Sequence, residues 1–187
     1  QCEGMARGEG YPYVHAANEP HLIAGVGTHT HEILLDAPDV DVVIAPLGMG
    51  SGVAGACIAA HGIDPNVRVI AVQSAASPAG YESWRRKALV TAPNRTFAEG
   101  LATGSAAELT QRVIRERLHD FVLVSDAEIR QAMLWMIECA HTLVEGAGAA
   151  PLAAAYQLRE RLRDKKVALV CSGGNCSLDH LRQALAL

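Results

Sequence analysis

The clearest chemistry in the chain lies in one turn, Pro46-Leu47-Gly48-Met49-Gly50-Ser51-Gly52-Val53-Ala54-Gly55. It directly follows an apolar, β-branched run and opens a helix-like one. In that setting glycines let the backbone approach a ligand closely and supply positive φ. The unpaired N–H groups of a helix start, with the helix dipole behind them, favour an anion. Ser51 adds a hydroxyl donor. The turn therefore reads as a phosphate cradle, against the plainer reading of a tight turn for helix–sheet packing.

Gly50-Ser51-Gly52-Val53-Ala54-Gly55 also fits G-x-G-x-x-G, the dinucleotide fingerprint. That fingerprint needs an acid at the end of the next strand to hold the ribose hydroxyls. The next strand-like run ends at Gln73-Ser74, which carries no carboxylate. A second turn, Ser172-Gly173-Gly174-Asn175, also ends a strand-like run. Two such turns at the carboxyl ends of parallel strands would meet at one sheet edge, where ligands bind in such folds. A third motif, Glu145-Gly146-Ala147-Gly148-Ala149-Ala150, lies between two helical runs. Glu145 is either a site carboxylate or a helix cap.

Other chemistries find little support. His29 and His31 are two apart, so on a helix they point in different directions. There is no H-E-x-x-H, no C-x-x-C and no G-x-S-x-G in the chain, which leaves neither a zinc set nor a nucleophile elbow. The Arg85-Arg86-Lys87 cluster is local and the net charge is −4, so the broad basic stripe of a nucleic-acid binder is missing. No apolar run reaches the ~18 residues that span a bilayer. No signal peptide is evident, and a reducing cytoplasmic location is expected. Cys57 and Cys139 lie in apolar helical runs and read as small buried hydrophobes.

The elements that must position these motifs alternate. Strands are predicted at 11–14, 41–45, 67–72, 121–124 and 167–171. Helices are predicted at 28–36, 52–61, 106–118, 126–141, 149–163 and 178–186. Residues 2–7 read as the tail of a helix. Ser125 with Glu128 forms a capping box for the helix at 126. Along that helix Ile129, Met133, Met136, Ile137 and Ala140 share one face and read as core. Alternating strands and helices predict an α/β fold, a three-layer parallel sheet with helices on both faces. The long stretch 74–104 is poorly patterned, as functional or mobile loops often are.

In this order the motifs resemble the fold-type-II pyridoxal-phosphate enzymes (the tryptophan synthase β-like superfamily), and among them the C-terminal portion of the threonine/serine dehydratase (ammonia-lyase) branch and serine racemase. The similar stretches are Tyr13-Val14-His15 to Gly25-Val26-Gly27-Thr28, residues 44–55, Thr96-Phe97-Ala98-Glu99-Gly100-Leu101-Ala102, Val124-Ser125-Asp126-Ala127-Glu128-Ile129, Glu145 to Ala150, and Ser172 to Asn175. The resemblance implies that Gly48, Met49, Gly50, Ser51 and Gly52 hold the phosphate of pyridoxal phosphate. It implies that Ser172, followed by Gly173, hydrogen-bonds the pyridine nitrogen and that Glu145 lies near the ring. It implies a PLP-dependent lyase acting on a small-molecule amino acid, releasing ammonia and a 2-oxo acid from L-threonine or L-serine. Residues 1–24 would be the tail of the small domain and the crossover, and 25–187 the C-terminal portion of the large domain. Met49 and Ser51 replace glycines found in many relatives, a variation associated with the dehydratase branch. Some relatives bind a cation through acids at the positions of Gln73 and near Ala79; both are uncharged here, so no metal site is expected.

The family's Schiff-base lysine lies in an N-terminal half. The chain starts at Gln1 rather than Met, and its lysines are Lys87, Lys165 and Lys166, none in the family's context. The expectation is a C-terminal fragment, inactive alone, with no catalytic residue of its own and the missing N-terminal half as partner. With no regulatory domain after Leu187, the resemblance suits a catabolic-type enzyme. The competing expectations are a racemase of the same family, a non-catalytic assembly module that keeps the cofactor fold, and a Rossmann-type dinucleotide-binding protein. A half-enzyme exposes apolar faces, and large bare patches rarely persist in a monomer. The chain is therefore expected to self-associate as a homo-oligomer, and a single monomeric species by sedimentation would contradict this.

Overall fold

β-branched runs too apolar to face water pair into one sheet, and the helices between them cover both of its faces. The computed structural model describes residues 2–186. Gln1 and Leu187, the outer ends of the two expected domains, lie outside the described residues. In chain order the elements are α1 (Cys2–Glu9), α2 (Pro20–Asp36), β1 (Val42–Pro46), α3 (Ser51–Ile63), β2 (Arg68–Ser74), α4 (Ala79–Arg86), a 3-10 turn (Glu99–Leu101), α5 (Glu108–Arg117), β3 (Asp120–Val124), α6 (Asp126–Ala140), α7 (Gly146–Gln157), β4 (Val167–Leu169) and α8 (Leu178–Leu185). The strands are parallel in the order β3-β2-β1-β4.

Alternate residues of each strand enter two different cores, as a strand's period of two requires. Val42, Ile44, Ile70, Val72, Val122 and Val124 pack with Ile129 and Met133 of α6 and with the alanines of α7. Val43, Ala45, Val69, Ala71 and Phe121 pack with Ile23 and Leu34 of α2, Val53 and Cys57 of α3, and Ile114 of α5. The three-layer parallel α/β architecture is as predicted. At the amino ends of the strands Asp41 ties β1 to β4. It accepts from the Lys166 backbone and from Lys165 Nζ at 2.8 and 3.1 Å. The backbone bond and the Lys165 bond hold its carboxyl below the ordinary value. That contribution is present above the ordinary carboxylate range and is lost as pH falls through the lowered value. The pair is exposed, so the contribution is small.

Several local expectations change. Residues 11–14 form no strand: Tyr11, Tyr13 and Val14 are exposed, and no described strand lies beside them. α2 starts at Pro20, ahead of the predicted 28, and runs unbroken across residues 24 and 25. Glu19 caps it, accepting from the His21 N–H at 3.1 Å, and Pro20 sits where its missing N–H costs nothing. The expected helix at 149–163 is shifted. α7 begins at Gly146 and gives way to turns after Gln157. β4 ends at Leu169, although Val170 N still donates to Ile44 O at 3.0 Å. Cys139 is exposed rather than buried. It lies near the end of α6, beyond the reach of the core, where Ala140 is also exposed while Met136 and Ile137 are half-buried. The capping box on α6 is present, with Ser125 Oγ accepting from Glu128 N at 3.2 Å and Ser125 N donating to Glu128 Oε2 at 2.7 Å.

The stretch 74–104 contains α4 and is otherwise pinned. Ser77 Oγ, fully buried, accepts from the N–H groups of Arg95 and Thr96 and donates to Asn94 Oδ1 at 2.7 Å. Asp126 accepts from Ser74 Oγ and Thr96 Oγ1, each at 2.7 Å, and from Phe97 N at 3.2 Å. These bonds fix the backbone leading to Gly100 over the carboxyl edge of the sheet.

α2 and α3 touch backbone to backbone. A Cβ on Gly55 would lie 2.8 Å from both Gly27 N and Ile23 O. Gly55→Ala must therefore separate the helices, and it is expected to lower stability by about 1–3 kcal/mol even though alanine is the better helix former. The midpoint of chemical denaturation reads this; an unchanged midpoint would refute the close approach.

Candidate functional site

Beyond β1, Leu47 N donates to Val72 O at 2.8 Å, and the chain then turns at Gly48. A Cβ on Gly48 would lie 2.5 Å from Gly100 O. Gly50 adopts φ 100°, ψ 1°, in the left-handed region that favours glycine. The first backbone bond of α3 runs from Ala54 N to Gly50 O at 2.9 Å, and no side chain caps the helix. Among the described residues no acceptor takes the N–H groups of Gly48, Met49, Gly50, Ser51, Gly52 or Val53. The carbonyls of the same turn are occupied: Thr103 Oγ1 donates to Gly48 O at 3.1 Å and Thr110 Oγ1 to Met49 O at 2.8 Å. The turn thus presents donors and withholds acceptors, which is the polarity an anion needs.

The second turn lies beside the first because β4 pairs with β1 in register, Ile44 opposite Leu169. Cys171 and Ser172 follow at the carboxyl edge. The Ser172 hydroxyl is exposed and makes no hydrogen bond among the described residues. Gly173 O accepts from Glu145 N at 3.1 Å, and a Cβ on Gly148 would lie 2.7 Å from that same oxygen. Glu145 stands at the N-cap position of α7, yet its side chain caps nothing. Its carboxylate lies against Gly173, where a Cβ would come within 2.5 Å of Oε1, and near Gly100, at 3.7 Å by the same measure.

A cavity of about 480 Å³ joins the two turns. Pro46, Ser51 and Gly52 line it on one side, Val170, Cys171 and Ser172 on the other, and Val26, Thr28 and His29 of α2 beneath. Of the residues singled out from the sequence, Ser51, Gly52 and Ser172 line this cavity. Gly48, Met49 and Gly50 form the turn behind it, and Glu145 and Gly173 meet each other beside it. Thr28, His29, Cys171, Gly100, Thr103 and Thr110 were not singled out as site residues. Gly100 alone had a local signal, as a glycine inside an otherwise regular motif. His29 Nδ1 donates to Val26 O, and its Nε2 is buried without a partner. His31 instead lines a groove with Ile23, Gly55 and Ile58, so the two histidines do point apart.

Gln73 is fully buried, and its Oε1 accepts from Tyr81 N at 3.1 Å. It braces α4 and is not turned to a ribose, which removes the dinucleotide reading at the position that mattered. Among the described residues no three His, Cys, Asp or Glu side chains gather as a metal set, and no helix is long and apolar enough to cross a membrane. Among the described residues no lysine lines the cavity. Lys165 pairs with Asp41 and Lys166 with Asp39 at the opposite, amino edge of the sheet, and Lys87 ends α4.

Residues 2–173 match the model of a family described as pyridoxal-phosphate dependent enzyme. The chain is 38% identical over 171 residues to the L-threonine ammonia-lyase of Thermotoga maritima, covering 91% of this chain and 42% of that protein. The crystal structure of a T.th. threonine deaminase superposes with a TM-score of 0.88 at 30% identity, covering 95% of this chain and 65% of that one. Maize serine racemase superposes with a TM-score of 0.87 at 29% identity, covering 98% and 59%. The chain spans about half the length of the curated relatives it matches.

The cysteines differ in burial and in the charges around them. Burial raises the Cys171 thiol; a hydrogen bond at the Gly173 backbone opposes this, and the Glu145 charge adds to it. Burial and Glu145 raise Cys176 as well. Burial pushes Cys57 up to about 12, slightly opposed by Arg117. The thiolate is the nucleophile. Iodoacetamide at about pH 8 is therefore expected to label exposed Cys139 readily, Cys171 and Cys176 slowly, and Cys57 only after unfolding. Peptide mass mapping over time checks the order, and early labelling of Cys57 would contradict it.

Proposed function

The chain belongs to the pyridoxal-phosphate dependent enzyme family, and on that premise we propose that it forms the phosphate- and ring-holding part of a threonine/serine ammonia-lyase. The observation that carries this reading is the cavity itself: unpaired N–H groups of the β1–α3 turn on one side and the free Ser172 hydroxyl on the other. The donor set fits the cofactor at both ends, with anion-binding amides for a phosphate and one neutral hydroxyl for a ring nitrogen.

In this reading the backbone N–H groups from Gly48 to Gly52 and the Ser51 hydroxyl hold the phosphate. Ser172 donates to the ring nitrogen. A neutral hydroxyl has no strongly acidic proton to place there, so the nitrogen stays unprotonated, which suits β-elimination over transamination. Glu145, against Gly173 and close to Gly100, stands beside the ring and fixes the turn that carries Ser172. Pyridoxal phosphate, when bound, supplies an electron-withdrawing ring that lets the substrate's α-hydrogen leave as a proton. The net reaction converts L-threonine or L-serine to a 2-oxo acid and ammonia. The names of the relatives support this reaction: L-threonine ammonia-lyase and threonine deaminase.

The chemistry also needs a positioned amine, and Lys87, Lys165 and Lys166 all lie away from the cavity. We assign that amine to an N-terminal half of a longer enzyme. Residues 1–24 would then be the tail of a smaller domain, residues 25–187 part of the larger one, and the change of domain would fall within α2. A homo-oligomer and a cytoplasmic location belong to the same reading. The likeness to maize serine racemase supports a second reading, racemisation at the same site, which the product distinguishes.

Equilibrium dialysis of the chain with pyridoxal phosphate is expected to show saturable binding that inorganic phosphate displaces. Borohydride reduction is expected to leave Lys87, Lys165 and Lys166 free of cofactor, and L-threonine to yield no 2-oxobutanoate. Absence of binding would overturn the cofactor assignment. Turnover by the chain alone would overturn the division of labour, and D-serine from the full-length enzyme in place of 2-oxo acid would select the racemase.

A further inference from the structure

We propose that Thr110 is a positioning residue for the anion cradle: its hydroxyl holds the Met49 carbonyl turned away, so that the turn offers N–H groups and not a carbonyl oxygen to a bound phosphate. The inference rests on the cradle binding an anion, as proposed above.

Thr110 is fully buried in the first turn of α5, 61 residues from Met49. Its Oγ1 lies 2.8 Å from Met49 O and 3.1 Å from Ala107 O. A hydroxyl has one proton, and the shorter contact takes it. The bond acts on a whole peptide unit. In a planar trans peptide the carbonyl and the following N–H point in opposite directions, so fixing Met49 O toward α5 aims Gly50 N–H away from it. Gly50 is the weak point of this arrangement. Its φ of 100° is open to glycine, but so are most other values. Without an anchor, the peptide between residues 49 and 50 is free to flip and bring an oxygen where a donor is needed.

The fit is close on both sides. A Cβ on residue 50 would lie 3.1 Å from Thr110 Oγ1 and 3.2 Å from Thr110 Cβ, so a side chain there would press on the hydroxyl that reaches the turn. The helix that carries Thr110 is itself held. Adjacent Gln111, buried, donates through Nε2 to Gly80 O of α4 at 3.1 Å. Thr110 therefore has little slack along α5, and its bond to Met49 sets the orientation of the turn.

Thr110→Val keeps the shape and removes the hydroxyl; Thr110→Ser keeps the hydroxyl. Titration calorimetry with inorganic phosphate and with pyridoxal phosphate is expected to show Kd raised about tenfold in Thr110→Val, the size of one lost hydrogen bond, and restored within about twofold in Thr110→Ser. Amide hydrogen exchange of the ligand-free chain supplies a readout that does not need a ligand. The Ala54 amide, which donates to Gly50 O at the start of α3, is expected to exchange faster in Thr110→Val, while β1 and β2 do not change. If the wild-type chain binds phosphate and Thr110→Val binds it equally well, the inference falls and the cradle stands. If the wild-type chain binds no phosphate, both fall. Should Thr110→Val fail to fold, Thr110→Ala carries the same comparison.

Discussion

Backbone donors without acceptors are costly once shielded from water, and the β1–α3 turn gathers the N–H groups of residues 48–53 in one place. Much of the surrounding structure keeps them available. Thr103 and Thr110 draw off the carbonyls of Gly48 and Met49, so the turn cannot close on itself. Gly50 at positive φ aims the start of α3 at the cavity. The pairing of β4 with β1 then brings Ser172 to the far wall. A shift of that register by one residue would turn every side chain of the segment to the other face and leave the donors facing a wall without a hydroxyl.

The site is assembled from close backbone approaches rather than from large side chains. Gly48 meets Gly100, Gly100 meets Ala147, Gly146 meets Ala98 and Phe97, and Gly148 meets Gly173. Each contact excludes a Cβ, and together they stack the β1 turn, the 99–101 turn, α7 and the 172–174 turn against one another. This explains a chain with few aromatic residues and many alanines and glycines. Specificity of position comes from steric exclusion at small residues, and polar anchors such as Ser77 and Asp126 hold the longest connection in place.

What could be read in advance followed from short range. The β-branched runs of β1, β2 and β3 signal buried strands by themselves, the glycines before α3 signal a tight turn that opens a helix, and Ser125 with Glu128 signals the start of α6. What could not be read depends on partners distant in sequence. Tyr11 to Val14 has strand-like residues, but a strand needs a neighbour, and none of the described strands lies beside it. α4 was hidden because its start at Pro78 looks like a break and its stability comes from Tyr81 and Trp84 packing on Phe121. Thr103 and Thr110 are ordinary threonines until the fold sets them against carbonyls 55 and 61 residues away. Glu145 was ambiguous between cap and site, and the absence of a side-chain cap bond sets aside the first of these.

The pairing of β1 with β4 also bears on the order of folding. The α2–α3 contact and the β1–β2 pairing join segments close in sequence, whereas Val42 pairs with Val167 across most of the chain. Loop closure of that length carries the largest entropic penalty and follows the local contacts. By this reasoning the half of the sheet holding the donor turn forms early, and the wall bearing Ser172 arrives in the last step. A ligand that touches both sides would recognise only the fully closed chain and would act as a clasp on the slowest contact, favouring the native state over every partly folded one.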